Sequence, residues 1–171
     1  EDEFKSFVEK SGIPAAWTIL GVSALPTSHE LNVGMVGMHG NYGPNLLTNE
    51  CDLLIAIGMR FDDRVTGDPK TYAKQAKIIH LDIDPAEIDK NIKVEVPIIG
   101  DCKESLKLIT DKIEKKSHNK WISKFDDLMK IEFDKVINSD LNPSKKGLTM
   151  GESIIAINEQ TKGDAIIVTD V

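Results

Sequence analysis

The chain has 171 residues, 40% hydrophobic and 29% charged, which is enough for one complete globular core and part of another. A formal net charge of −7 and a pI near 5.1 repel nucleic acid and anionic lipid at long range, so a small anion would need a local cluster of positive charge. The two cysteines, Cys51 and Cys102, have no CxxC spacing, which argues against a zinc knuckle or a disulfide framework and fits a reducing cytoplasm.

The N-terminal "EDEFKSFVEK" lacks the basic start and apolar middle of a signal peptide, and no stretch approaches the ~20 apolar residues of a membrane span. Phe4, Phe7 and Val8, followed by Gly12, predict a helix that stops there. "IPAAWTIL" predicts a strand ending at Gly21. "PTSHELNVGMVGMHG" reads as loop with at most a turn of helix, and Pro44 in "NYGPNLLTNECD" suits the first turn of a helix. "LLIAIG", "KIIHLDID" and "VPIIGD" are short apolar runs closing on Gly or Asp, and "PAEIDK" opens a predicted helix between the last two. "CKESLKLITDKI" predicts the next helix.

Short apolar strands alternating with helices predict an α/β fold, a Rossmann-like open parallel sheet with helices on both faces. Such sheets gather ligands at the carboxyl ends of their strands. Beyond residue 117 the character changes. Trp121, Phe125, Met129 and Phe133 recur every four residues, and "DLNPSKKG" is a polar connector, so 118–147 reads as a helical linker. Residues 148–171 then read as the opening helix and strand of a second α/β domain. The chain does not begin with Met and stops on "AIIVTDV", as expected of an excised fragment.

"GMVGMHG" spaces Gly34, Gly37 and Gly40 three apart, which permits close backbone approach to a ligand but is not the G-x-G-x-x-G fingerprint; a plain loop accounts for it equally. His39 has no nucleophile or metal partner in the sequence. In "GMRFDDR", Arg60 and Arg64 could pair with Asp62 and Asp63 on the surface, or hold a diphosphate with their planar forks at a strand end. Asp82, closing a strand, suits ribose hydroxyls, whereas Asp84 is the better helix cap; Asp101 repeats the arrangement or caps the helix after it. Two strand-end aspartates, an arginine loop and a glycine loop together favour an adenine nucleotide.

"TILGVSALP", "GMVGMHGN", "DLLIAIGMRFDDRVTG", "KIIHLDIDPAEIDKN" and "VPIIGD", in this order, closely resemble the central domain of the large, catalytic subunit of the acetolactate synthase (acetohydroxyacid synthase) family, thiamine-diphosphate enzymes. The resemblance covers nearly the whole chain. It implies a subunit of three α/β domains that decarboxylates pyruvate and joins the retained two-carbon unit to pyruvate or 2-ketobutyrate, opening branched-chain amino acid synthesis. It makes 1–117 the FAD-binding central domain and 148–171 the truncated start of the thiamine-diphosphate domain. Flavin takes part in no net redox chemistry in this family, and its presence leans towards the anabolic form.

By the same resemblance Thr18 and Ile19 contact the flavin, Val36, Gly37, Met38 and His39 line it, and Gly58, Met59, Arg60, Phe61 and Asp62 wrap its ribityl and phosphate portion. Asp82 and Ile83 match ribose and adenosine contacts, with Asp101 and Cys102 near the adenine. Met38, His39, Asp63 and Arg64 match positions facing the mouth of the substrate channel, where family inhibitors lodge. The activating glutamate and the thiamine-diphosphate and Mg2+ ligands belong to other domains. The 171 residues alone are therefore expected to lack catalytic residues, to perform no carboligation and to bind FAD weakly or not at all. The implied assembly is a homodimer or homotetramer with a small regulatory subunit, in the cytoplasm, acting on 2-keto acids, with no nucleic acid, membrane or resident metal in this segment. Competing readings are another thiamine-diphosphate enzyme of glyoxylate carboligase or pyruvate oxidase type, a stand-alone nucleotide-sensing module, and a sirtuin-like deacylase, whose zinc module would need four cysteines.

Overall fold

A computed structural model describes residues 1–144 and 147–168. The chain divides into two compact units, Glu1–Met129 and Lys130–Val171. In the first, α1 (Asp2–Ser11) carries Asp2 and Glu3 in its first turn, where they complement the helix dipole, and ends at Gly12 in the left-handed conformation (φ 68°). The elements that follow are β1 (Ala15–Trp17), β2 (Asn32–Met35), α2 (Tyr42–Leu47), β3 (Leu53–Ile57), α3 (Asp63–Thr66), β4 (Lys77–Asp82), β5 (Val96–Ile99), α4 (Cys102–Lys112) and α5 (Asn119–Glu132), whose end crosses into the second unit.

All strand pairs are parallel, with helices around them, so the unit is α/β and Rossmann-like. The hydrogen-bonded order is β1-β2 in one sheet and β3-β4-β5 in another. β5 is an edge, which is why Pro97, lacking an N–H, is accommodated opposite His80. Alternation along β3 and β4 sorts their side chains onto two faces. Ile55, Ile57, Ile79 and Leu81 pack with Phe7, Val8 and Leu106 of α1 and α4. Leu54, Ala56 and Ile78 pack instead with Phe61, Tyr72 and Ala73 of the β3–β4 connection.

Three expectations for the first unit are corrected. The strand read over "IPAAWTIL" is only Ala15–Trp17, because the backbone turns into a 3-10 helix at Ile19–Gly21. Asn32–Met35, read as loop, is β2; it contains Gly34 and little apolar pattern, and its pairing with β1 makes it a strand. The helix expected from Pro85 is a single 3-10 turn, Pro85–Glu87, capped by the Asp84 carboxylate accepting from Ala86 N–H at 2.9 Å.

The glycines after β2 are set by packing. A Cβ at Gly34 would overlap the Asn41 side chain, one at Gly40 would overlap the Met35 carbonyl oxygen, and one at Gly37 (φ 109°) would lie 2.8 Å from the Arg64 carbonyl oxygen. Gly58 also has positive φ (59°), yet its Cβ position meets nothing within 4 Å.

In the second unit a π-helical turn, Phe133–Ile137, leads into α6 (Asn138–Leu141). α7 (Met150–Thr161) begins with a capping box, Thr149 accepting from Glu152 N–H while the Glu152 carboxylate accepts from Thr149 N–H. The Thr149 hydroxyl donates to the Asp140 carbonyl at 2.9 Å and so ties α7 to α6. The strand predicted at "AIIVTDV" is not formed over 165–168, and 169–171 lie outside the described residues.

Burial, with a smaller contribution from Cys51, pushes the Tyr72 hydroxyl up to about 12. The folded state therefore holds this proton more tightly than the unfolded chain, whose tyrosines titrate near 10. That stabilisation is complete below about pH 10 and is lost as pH rises towards 12. Urea denaturation across this range should show wild type losing on the order of 3 kcal/mol more than Tyr72→Phe; equal losses would contradict it. Gly37→Ala should destabilise the chain by roughly 3 kcal/mol, at the upper end for a strained backbone, and Gly58→Ala by about 1 kcal/mol. Denaturation midpoints test that order.

Candidate functional site

The carboxyl ends of the strands are joined by backbone hydrogen bonds. Val36 N–H, just past β2, donates to the Trp17 carbonyl at the end of β1 (2.9 Å). Met38 N–H donates to the Arg64 carbonyl (2.7 Å), which brings the loop after β2 onto the segment after β3. Gly58 N–H donates to the Leu81 carbonyl (2.8 Å), and Gly100 N–H to the Asp82 carbonyl (3.0 Å). Asn45 braces the glycine loop: its Oδ1 accepts from Gly37 N–H and its Nδ2 donates to the Gly37 carbonyl, each at 2.9 Å.

On this rim Arg60 and Arg64 are exposed. The Arg60 Nη2 donates to Asp62 Oδ2 at 3.1 Å, while its side chain stays 67% exposed and keeps other donors facing solvent. Asp62 Oδ1 caps α3 by accepting from Arg64 N–H, also at 3.1 Å. Arg64 Nε lies 3.9 Å from Asp63 Oδ1 with both side chains largely in solvent, so that pair holds neither group firmly. The bland reading of these charges as local pairs is thus part of the structure, and both guanidinium groups remain reachable by an anion.

Phe61 differs from its neighbours. At φ 52° it turns its ring inward, 2% exposed, edge-on to Tyr72 and His80 with centroids 6.2 and 5.1 Å away. Its side chain belongs to the core, and only its backbone can face a ligand. Asp82 is 7% exposed; its Oδ1 accepts from Asp84 N–H at 2.9 Å. Asp101 caps α4 by accepting from Glu104 N–H at 3.1 Å. Ile19, Met38 and Ile83 are exposed apolar side chains, each following a strand's carboxyl end, and His39 beside Met38 is also exposed. Thr18 precedes the 3-10 turn, its carbonyl accepting from Gly21 N–H at 2.7 Å.

Burial, then the carboxylates of Asp82 and Asp101, push the Cys102 thiol up, and burial followed by Asp52 does the same to Cys51. Neither is an activated nucleophile. Among the described residues no group of three His, Cys, Asp or Glu could hold a metal ion, and no helix is long and apolar enough to cross a membrane.

Two residues that shape the site were passed over in the sequence. Asn45 follows Pro44 with no local signal of its bonds to Gly37. His80 does carry a signal, a histidine in the middle of an apolar strand two residues before Asp82 and hence on the same face. It is fully buried, neither ring nitrogen has a hydrogen-bond partner among the described residues, and its Nε2 lies 3.6 Å from Asp82 Oδ2.

The rim can offer close backbone approach at an open Gly58, two exposed guanidinium groups, a strand-end carboxylate and exposed apolar side chains. That donor set fits a dinucleotide with a diphosphate and a flat ring system. Comparison with known proteins gives the lineage. The family model described as "Thiamine pyrophosphate enzyme, central domain" matches residues 1–109. The acetolactate synthase large subunit of Lactococcus lactis subsp. lactis is 42% identical over 174 residues, covering 99% of this chain and 29% of that protein. The acetolactate synthase large subunit of Corynebacterium glutamicum is 49% identical over 130 residues, 75% of this chain and 21% of that protein. The chloroplastic acetolactate synthase 1 of Zea mays is 40% identical over 179 residues, 99% of this chain and 27% of that protein. The chain thus spans less than a third of the length of these relatives, and it belongs to the thiamine pyrophosphate enzyme family, as its central domain.

Proposed function

We propose that this chain is the FAD-binding central domain of an acetolactate synthase large subunit, followed by a helical linker (118–147) and the start of the thiamine-diphosphate domain (148–171). The observation that carries this reading is the row of joined strand ends, in which Met38 meets Arg64 and Gly58 meets Leu81, combined with relatives of that name aligned over almost the whole chain.

In this reading Arg60 holds the flavin's diphosphate, as a guanidinium suits paired phosphate oxygens, and the open Gly58 backbone lets the ligand approach without a clashing side chain. Asp82 accepts from ribose hydroxyls, with Ile83, Asp101 and Cys102 beside the adenosine. Thr18, Ile19 and Val36 to His39 line the ring system, while Met59, Phe61 and Asp62 give the loop its shape. Met38, His39, Asp63 and Arg64 face the channel through which 2-keto acids enter. Thiamine diphosphate, held with Mg2+ by other domains, supplies the chemistry of decarboxylation and carbon–carbon bond formation. The residues of this segment bind and orient flavin, close one wall of the channel and transfer no proton. The complete subunit works as a homodimer or homotetramer with a small regulatory subunit, in the cytoplasm.

In the full-length subunit Arg60→Ala should weaken flavin binding about tenfold or more, the size of a lost charge-assisted hydrogen bond, and Arg60→Lys should restore only part of it. Flavin fluorescence titration reads both, and unchanged affinity in Arg60→Ala would remove the proposed phosphate role. The 171-residue chain supplied with pyruvate, thiamine diphosphate and Mg2+ should form no acetolactate.

A further inference from the structure

His80 stands where an aliphatic side chain would serve the core better. On one face of β4 the side chains run Ile78, His80, Asp82 from the core to the strand's carboxyl end, and Ala56 of β3 is the ladder partner of His80. The imidazole is fully buried, and neither ring nitrogen has a hydrogen-bond partner among the described residues. A buried polar group left without a partner costs stability, and an apolar side chain of similar volume would avoid that cost.

Two contacts say what the ring is for. The Phe61 ring meets it edge-on, with centroids 5.1 Å apart. Phe61 has φ 52°, a conformation that a bulky residue keeps only where its surroundings impose it, and here the rings of Tyr72 and His80 close around it. The turn that presents Arg60 is therefore anchored from within against His80. On the other side His80 Nε2 lies 3.6 Å from Asp82 Oδ2, just beyond hydrogen-bond length. The second carboxylate oxygen, Oδ1, accepts from Asp84 N–H at 2.9 Å. A ring with no exposed surface cannot touch a substrate, so His80 can act only through the groups it meets.

We propose that His80 is a positioning residue for the ribose contact, its Nε2–H donating to Asp82 Oδ2 when ribose hydroxyls engage the carboxylate. This rests on the reading of Asp82 as that contact. The distance to close is about half an ångström, the kind of tightening that accompanies ligand binding. Each carboxylate oxygen then has one donor from the protein, Asp84 N–H on Oδ1 and His80 Nε2–H on Oδ2. Each keeps a further acceptor site, and together these match the two donors of a vicinal diol. The carboxylate is held in one orientation, and the Phe61 contact sets it in register with the Arg60 turn.

FAD titration of the full-length subunit tests this. His80→Leu should weaken FAD binding about tenfold, the size of a hydrogen bond to a charged group. Its thermal midpoint without FAD should equal or exceed that of wild type, because the two unpartnered nitrogens are gone. His80→Gln, whose amide N–H can replace Nε2–H, should bind FAD within about threefold of wild type. Asp82→Ala should weaken binding on its own, and adding His80→Leu to it should cost nothing further. Joint loss of stability and affinity in His80→Leu, without recovery in His80→Gln, would make His80 a core residue only and overturn the proposal. Unchanged FAD affinity in His80→Leu beside a weakened Asp82→Ala would overturn it and leave the ribose role of Asp82 intact. Unchanged affinity in Asp82→Ala would remove that role, and this inference with it.

Discussion

Two backbone hydrogen bonds, Met38 N–H to the Arg64 carbonyl and Gly58 N–H to the Leu81 carbonyl, hold the carboxyl rim of this domain in one piece. The first crosses between sheets that share no ladder, and the second ties the open end of β3 to the strand that carries Asp82. Gly37 exists for the first bond, because any Cβ there would crowd the Arg64 carbonyl oxygen. Asn45 then fixes Gly37 through both of its backbone groups, which braces the six-residue loop between β2 and α2.

The charges on that rim do two jobs. Asp62 caps α3 and pairs with Arg60, which positions the arginine without burying it. A surface pair of this kind adds little stability. Its value lies in presenting a guanidinium at the strand end of a protein whose overall charge would otherwise repel anions. Asp82 sits deeper, with His80 behind it in the core at a distance that permits electrostatic contact but no hydrogen bond. The carboxylate is thus oriented from below by β4 and from the side by Asp84 N–H.

Among the described residues the outer edge of β3 has no ladder partner, and every residue of β3 borders one cavity that Phe4 and Phe7 of α1 also line.

The strands β3, β4 and β5 were legible in the sequence because burial on both faces demands uninterrupted apolar runs, and "LLIAI", "KIIHLD" and "VPII" supply them. The caps Asp84 and Asp101 were legible because they act on backbone two or three residues away. β2 was not, since Asn32 and Gly34 carry no strand signal and only the ladder to β1 extends them. The inward turn of Phe61 at positive φ was equally hidden, as it depends on Tyr72 and His80 closing over the ring. Local sequence thus determined which segments could form strands, turns and caps, because those are contests between neighbouring groups. Only the tertiary structure decided which loops meet at the rim and which rings close around Phe61, because such pairings join residues that the sequence keeps far apart.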